Sequence, residues 1–142
     1  MSWGEHAQAL LREAGFKPGR ARAAVIEALA NQHCCLSAQE IHDRVRQRRA
    51  GVGIASVYRA LETLTDLGLV HRLELGSGGA YYEPAAPSGD HHHHLVCGDC
   101  GKVEAFSDER LERAIGDVSG RSGFQVEGHD IVLRGSCQSC AV

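Results

Sequence analysis

Aromatic residues are scarce in this chain: three Phe, three Tyr and one Trp make up 5% of its 142 residues. A core with so few rings must be aliphatic and small, and small cores commonly need a staple such as a structural metal. Long apolar runs are also missing, so no membrane helix and no membrane partner are expected. Nor does any stretch read as a secretory leader, so the six cysteines are expected as thiols of a reducing cytoplasm rather than as disulfides. Charge of one sign does not dominate, the net being −3. That small figure hides an asymmetry. Residues 1–83 hold ten Lys/Arg against nine Asp/Glu, whereas residues 84–142 hold five against nine. The first part is the better partner for a polyanion, and bound divalent cations would offset part of the second. No HExxH or deaminase signature is present, which leaves a zinc-dependent hydrolase as a distant alternative and gives no reason to expect a small-molecule substrate.

What is present is concentrated in residues 90–101, DHHHHLVCGDCG. Four histidines run straight into the pair Cys97 and Cys100, and a second Cys-x-x-Cys, Cys137 and Cys140, stands near the C-terminus. Two thiolate pairs supply four soft ligands, which suits a closed tetrahedral zinc site with no open position for chemistry. A redox Cys-x-x-Cys or two disulfides are the alternatives, and matched pairs in a chain without a leader favour the metal. The 36 residues between the pairs leave room for a small folded unit. The histidine segment ends in Leu-Val-Cys and reads as a strand. Alternation along a strand would send His91 and His93 to one face and His92 and His94 to the other, so one run can serve two metal sites. A solvated tract or an expression tag is the bland reading of the same residues.

The rest of the chain reads in order. Residues 4–14 and 20–30 are expected as helices, the first stopped by Gly15 and Pro18, the second opening on Arg20 and Arg22. Cations at a helix N-terminus oppose the macrodipole, so either an external phosphate or solvent must relieve them. Ser37-Ala38-Gln39-Glu40 is a capping box, with Leu36 and Ile41 at the spacing of a hydrophobic staple. Residues 54–67 form a further helix with Val57, Leu61 and Leu64 as its buried stripe, closed by Gly68. Strands at 69–75 and 80–83 make a hairpin. Helices followed by a two-stranded wing describe a winged helix-turn-helix, whose later helix enters a DNA major groove with Tyr58 and Arg59 as readers. Such a module can instead bind protein. PAAPSG, residues 84–89, is the natural boundary. Beyond it come strand 102–106, a helix from Asp108 to Ser119 with Leu111, Ile115 and Val118 inward, and a strand within 123–137 carrying Ile131 and Leu133 on one face.

These pieces together resemble the ferric uptake regulator (Fur) family of metal-sensing repressors over nearly the whole length. The motifs that carry the resemblance are Ser-Ala-Gln-Glu at 37–40, Ser56-Val57-Tyr58-Arg59, HHHHLVC-x-x-CG and the terminal Cys-x-x-Cys. The resemblance implies an α+β chain: a winged-helix DNA-binding domain over 1–83, a hinge over 84–90, and a small α/β dimerisation domain with structural zinc over 91–142. It implies a cytoplasmic homodimer on an inverted-repeat, double-stranded operator, repressing when a hinge metal is bound.

Carried over by position, the resemblance puts structural zinc on Cys97, Cys100, Cys137 and Cys140. The sensing site falls on His71, Glu83, His92 and His94, and a third site on His91, His93, Glu112 and His129. DNA contacts fall on Ser56, Tyr58, Arg59, Lys17 and Arg22. The chain departs from iron-type members where Cys35 replaces a histidine two positions before the capping segment, and where Ala105 replaces a glutamate, with Glu104 one position off. Lys17 and Gly19 stand where many relatives carry Arg and Thr. His71 stands where zinc-sensing members supply a ligand from the wing. Three imidazoles and one carboxylate favour tetrahedral zinc over six-coordinate iron or manganese, which points to the zinc-uptake branch. An iron-, manganese- or peroxide-responsive member is the alternative.

Overall fold

In the computed structural model of the chain, helix starts follow side-chain chemistry. Helix α1 (Trp3–Glu13) begins at Ser2, whose hydroxyl accepts the Glu5 N–H while the Glu5 carboxylate accepts the Ser2 N–H. Helix α3 (Ala38–Arg48) repeats that capping box with Ser37 and Glu40. Leu36 and Ile41, one before the cap and one a turn beyond, are both buried, as a staple requires. Helix α2 (Arg20–Ala30) has no side-chain cap at Gly19. Helix α4 (Ile54–Asp66) ends at Gly68, whose φ of +71° is the left-handed conformation that lets Leu69 N–H reach back to the Leu64 carbonyl.

The structure describes residues 2–31, 34–76, 79–87 and 91–141. The chain divides into two units, residues 1–90 and 91–142. Ser77 and Gly78 of the expected hairpin turn, and residues 88–90 of the expected hinge, lie outside the described residues.

In the N-terminal unit, strand β2 (Val70–Glu74) pairs antiparallel with β3 (Ala80–Pro84), and β3 pairs on its other side with a two-residue strand, β1 (Leu36–Ser37). Strand β1 is not expected from the sequence, because two residues carry no alternation. The sheet and the four helices enclose an aliphatic core that includes Val25, Leu29, Ile41, Val57, Leu61 and Leu64. Trp3, the one tryptophan, donates its indole N–H to the Leu69 carbonyl at 3.0 Å and so ties α1 to the entry of the wing. The anticipated stripe of α4 is buried with Ala60 added, and Ala55, Tyr58, Arg59 and Glu62 are exposed.

The C-terminal unit is one three-stranded sheet and one helix. Strand β4 (His93–Cys97) is central, antiparallel to β5 (Val103–Phe106) and parallel to β6 (Val132–Gly135). Helix α5 (Glu109–Ser122) starts at Asp108, which accepts the N–H groups of Arg110 and Leu111. Those two donors hold the Asp108 carboxyl below the usual carboxylate range. The helix runs three residues beyond the expected end, to Ser122, with Gly123 as its C-cap. Its expected inward face needs correction at Val118, which is 58% exposed, whereas Leu111 and Ile115 are half-buried and no α5 residue is fully buried. Leu133 is 50% exposed. A sheet of three strands with one helix offers too little apolar surface to cover both faces of that helix. Among the described residues no helix is long and apolar enough to cross a membrane.

Replacing Ser37 with Ala removes a hydroxyl that satisfies one helix-end N–H. The expected cost is about 1 kcal/mol, read as a lower denaturant midpoint with unchanged slope.

Candidate metal centres

The first centre follows from strand register. Cys97 ends β4, and a tight turn returns the chain to β5, with Cys97 N–H on the Lys102 carbonyl and Gly101 N–H on the Cys97 carbonyl. Gly101 has φ of +78°, which the turn needs. On the other side Cys97 is the ladder partner of Gly135, so the chain leaving β6 brings Cys137 and Cys140 back beside the first pair. The four sulfurs lie within 4.8 Å of one another, and Cys100 Sγ is 3.8 Å from Cys137 Sγ. Zinc–sulfur bonds of about 2.3 Å give a tetrahedron with sulfur–sulfur edges of about 3.8 Å.

The electrostatics fit a cation as well. Cys97 Sγ accepts the backbone N–H groups of Cys137 at 3.3 Å and Cys100 at 3.5 Å, which pull its pKa down to about 6. Cys140, crowded by the sulfurs of Cys137, Cys100 and Cys97, is pushed up to about 12. The Cys97 thiolate forms readily while Cys140 resists ionising, and a divalent ion is what lets both act as anions together.

The second group is built from imidazoles. His93 Nε2 is 2.7 Å from Glu112 Oε1, His129 Nε2 is 2.6 Å from Glu112 Oε2, and His91 Nε2 is 3.1 Å from His129 Nε2. Hydrogen bonds from His93 first, then His129, hold the Glu112 carboxyl below its ordinary range. His93 is fully buried, and its Nδ1 accepts the Ile131 N–H at 3.1 Å. A neutral ring with Nδ1 as acceptor carries its proton on Nε2, where it is donated to Glu112. A metal must displace that proton, as it must the one between His129 Nε2 and Glu112 Oε2, but His93 cannot shift its proton to an Nδ1 that already accepts the Ile131 N–H, so it is the least ready of the four ligands.

The remaining histidines form a separate pair. His92 and His94 rings stand 5.0 Å apart, as the His91 and His93 rings stand 5.1 Å apart, so odd and even positions sort by side. His94 is buried and the donor nitrogens of His92 and His94 lie within 4.8 Å. Within the N-terminal unit, Glu83 on β3 is buried, and its carboxylate lies within 4.8 Å of Cys34 Sγ. Cys34 is the donor that sequence reasoning passed over in favour of Cys35. The pairing of Leu36 with Tyr82 brings the residues before β1 toward Glu83, and a two-residue strand gave no signal for it. Cys35 is buried, 3.5 Å from Cys34 by sulfur, and that bond followed by burial pushes its thiol well up. His71 is the ladder partner of Glu83 but is exposed and joins no donor group among the described residues. Glu104 pairs with Lys102, and Ala105 faces His94 across the ladder.

On the side expected to meet DNA, Tyr58 is 53% exposed and Arg59 projects beside it, with its guanidinium on Ser56 Oγ at 3.1 Å. Lys17 is exposed. Arg22 turns back onto its own loop, donating to the Lys17 carbonyl and lying 5.3 Å over the Phe16 ring. Arg20 donates to the Ala50 carbonyl. Both cations at the start of α2 thus have backbone acceptors without an external anion. A Cβ at Gly19 would come within 3.0 Å of the Arg22 guanidinium, so the small residue goes with this arrangement.

Comparison with known proteins points one way. The model of the ferric uptake regulator family matches residues 13–134. The ferric uptake regulation protein of Vibrio cholerae serotype O1 is 33% identical over 130 residues, covering 91% of this chain and 85% of that protein. That of Escherichia coli K12 is 33% identical over 130 residues, covering 89% and 85%. The Helicobacter pylori ferric uptake regulator, described as having three functional metal binding sites, matches with a TM-score of 0.84 at 30% identity, covering 96% of this chain and 89% of that one. The chain therefore belongs to the ferric uptake regulator family, whose members are metal-responsive, DNA-binding and dimer-forming transcription regulators rather than enzymes.

Proposed function

We propose that this protein is a zinc-responsive repressor, acting in the cytoplasm as a homodimer on an inverted-repeat operator. In this reading Cys97, Cys100, Cys137 and Cys140 hold a structural zinc. Glu83 from the N-terminal unit and His92 and His94 from the C-terminal unit hold the regulatory ion. The His91, His93, Glu112 and His129 group is an auxiliary site, with His93 its weakest member. Segment 84–90 serves as the hinge between domain 1–83 and domain 91–142.

The observation that carries the zinc reading is donor composition. Among the proposed regulatory ligands, Glu83 is the single carboxylate beside the imidazoles of His92 and His94. Zinc takes four nitrogen and sulfur ligands, whereas manganese sites are rich in oxygen. The Helicobacter relative's three functional metal sites support counting three here.

Repression then follows from linkage. Ligands drawn from both units favour one arrangement of the two, and a metal shifts the population only by its preference for that arrangement. In it, the exposed face of α4 enters successive major grooves, with Ser56, Tyr58 and Arg59 toward the bases and Lys17 and Arg22 toward phosphates.

Stripping the four-cysteine metal with a strong chelator under reducing conditions should unfold residues 91–142 while the helices of residues 1–90 persist. Amide exchange resolves the two, and uniform protection would count against a structural metal. At fixed salt, micromolar free zinc should tighten binding to an inverted repeat selected from random DNA by roughly 5- to 150-fold over chelator. Equal affinity in the two conditions would refute the repressor reading. Because imidazole and thiol must lose protons to bind, the zinc effect should fade as pH drops through the histidine range. Arg59→Ala should weaken DNA binding by about 1–3 kcal/mol, measured by titration, and leave zinc content unchanged.

A further inference from the structure

We propose that Cys34 supplies a thiolate ligand to the regulatory metal, in place of the wing histidine His71. The inference rests on the reading of Glu83, His92 and His94 as regulatory ligands, and it names the residue that completes them.

Two positions in the N-terminal unit compete for the fourth place. His71 has Glu83 as its ladder partner, but its ring is exposed and belongs to no donor group among the described residues. Cys34 is half-buried, and its sulfur lies within 4.8 Å of the Glu83 carboxylate, which is itself 5% exposed. A half-buried sulfur beside a buried carboxylate needs little ordering to bind, whereas a solvated ring must be fixed first. The second sulfur of the pair belongs to the scaffold. Cys35 is buried, and its sulfur accepts the Cys34 S–H at 3.5 Å, a weak contact that ends when Cys34 gives up its proton to a metal.

Metal binding exchanges the Cys34 S–H bond for a sulfur–metal bond and releases the proton to solvent. The resulting set of one sulfur, one oxygen and two nitrogens is softer than three imidazoles with a carboxylate. A soft ligand shifts preference toward zinc and away from manganese and iron. Cys34 therefore acts as a specificity-determining ligand.

The test uses the full-length dimer with one structural zinc per chain retained, to which one equivalent of Co²⁺ is added at a time. Zinc content is assayed throughout to show that the four-cysteine site is not exchanged. The wild type should gain a near-ultraviolet thiolate-to-cobalt charge-transfer band, since no other proposed added-metal ligand carries sulfur. Cys34→Ser should abolish that band and weaken zinc binding at the site by about tenfold or more. His71→Ala and Cys35→Ala should both keep the band, and circular dichroism should show each variant folded. A band that survives in Cys34→Ser at unchanged zinc content overturns the proposal, as does a band lost in His71→Ala or Cys35→Ala but not in Cys34→Ser. Zinc-dependent DNA binding, measured on the same samples, separates the two readings. If zinc tightens DNA binding but the wild type shows no band, Cys34 is excluded and the repressor stands. If zinc changes nothing, the repressor reading itself has failed.

Discussion

The pleat of one strand governs the chemistry of the C-terminal unit. β4 is hydrogen-bonded on both sides, to β5 in one direction and β6 in the other, so its register cannot slip without breaking two ladders. Slippage by a single residue would exchange the faces of every side chain it carries. In a strand of ordinary residues that would expose a core. Here it would exchange the ligands of separate donor groups, because the strand and the two residues before it bear His91 through His94 and the strand ends on Cys97. The Cys97 sulfur takes backbone N–H groups from both cysteine turns, so the four-sulfur knot is also the clamp on the register.

The C-terminal unit has little else to hold it. Its only fully buried residues among those described are His93, His94 and Cys97, all of them donors. The N-terminal unit contrasts sharply, with a contiguous aliphatic cluster running from Ala7 to Tyr82. One unit is stabilised by burial at roughly 1.5–3 kcal/mol for each large apolar side chain. The other buries only donor side chains among its described residues, which a bound cation would hold together. That difference suits a division in which one unit reads and the other senses: a reading head should keep its shape whatever the metal level, and a sensor should not.

Legibility in the sequence follows the same division. Elements that carry their own local code were readable. Ser37 to Glu40 announces a helix start through hydrogen bonds closed within four residues, and Val57, Leu61 and Leu64 announce a buried face by spacing alone. The histidine alternation is likewise a property of any extended strand. Features set by residues distant in sequence were not readable. β1 is too short to show a period, and its partner lies more than forty residues on. Cys34 and Cys35 are adjacent residues just before that short strand, so the half-buried one beside Glu83 could not be told from the buried one. Arg20 and Arg22 looked short of an anion because the carbonyls of Ala50 and Lys17 that receive them are invisible in the pattern of charges.

The misjudged face of α5 has a different origin, and it bears on function. Leu111, Ile115 and Val118 have the spacing of a buried stripe, and the spacing is real; what is lacking within one chain is something to bury it. Of the seven exposed large apolar residues among those described, five, Leu95, Val118, Phe124, Val126 and Leu133, belong to the C-terminal unit. A soluble chain rarely leaves so many large apolar groups uncovered unless a partner covers them. Members of this family form dimers, and a second copy is the covering surface that needs no further component, since a two-fold interface matches each patch to itself. Dimerisation then does for the C-terminal unit what aliphatic packing does for the N-terminal one.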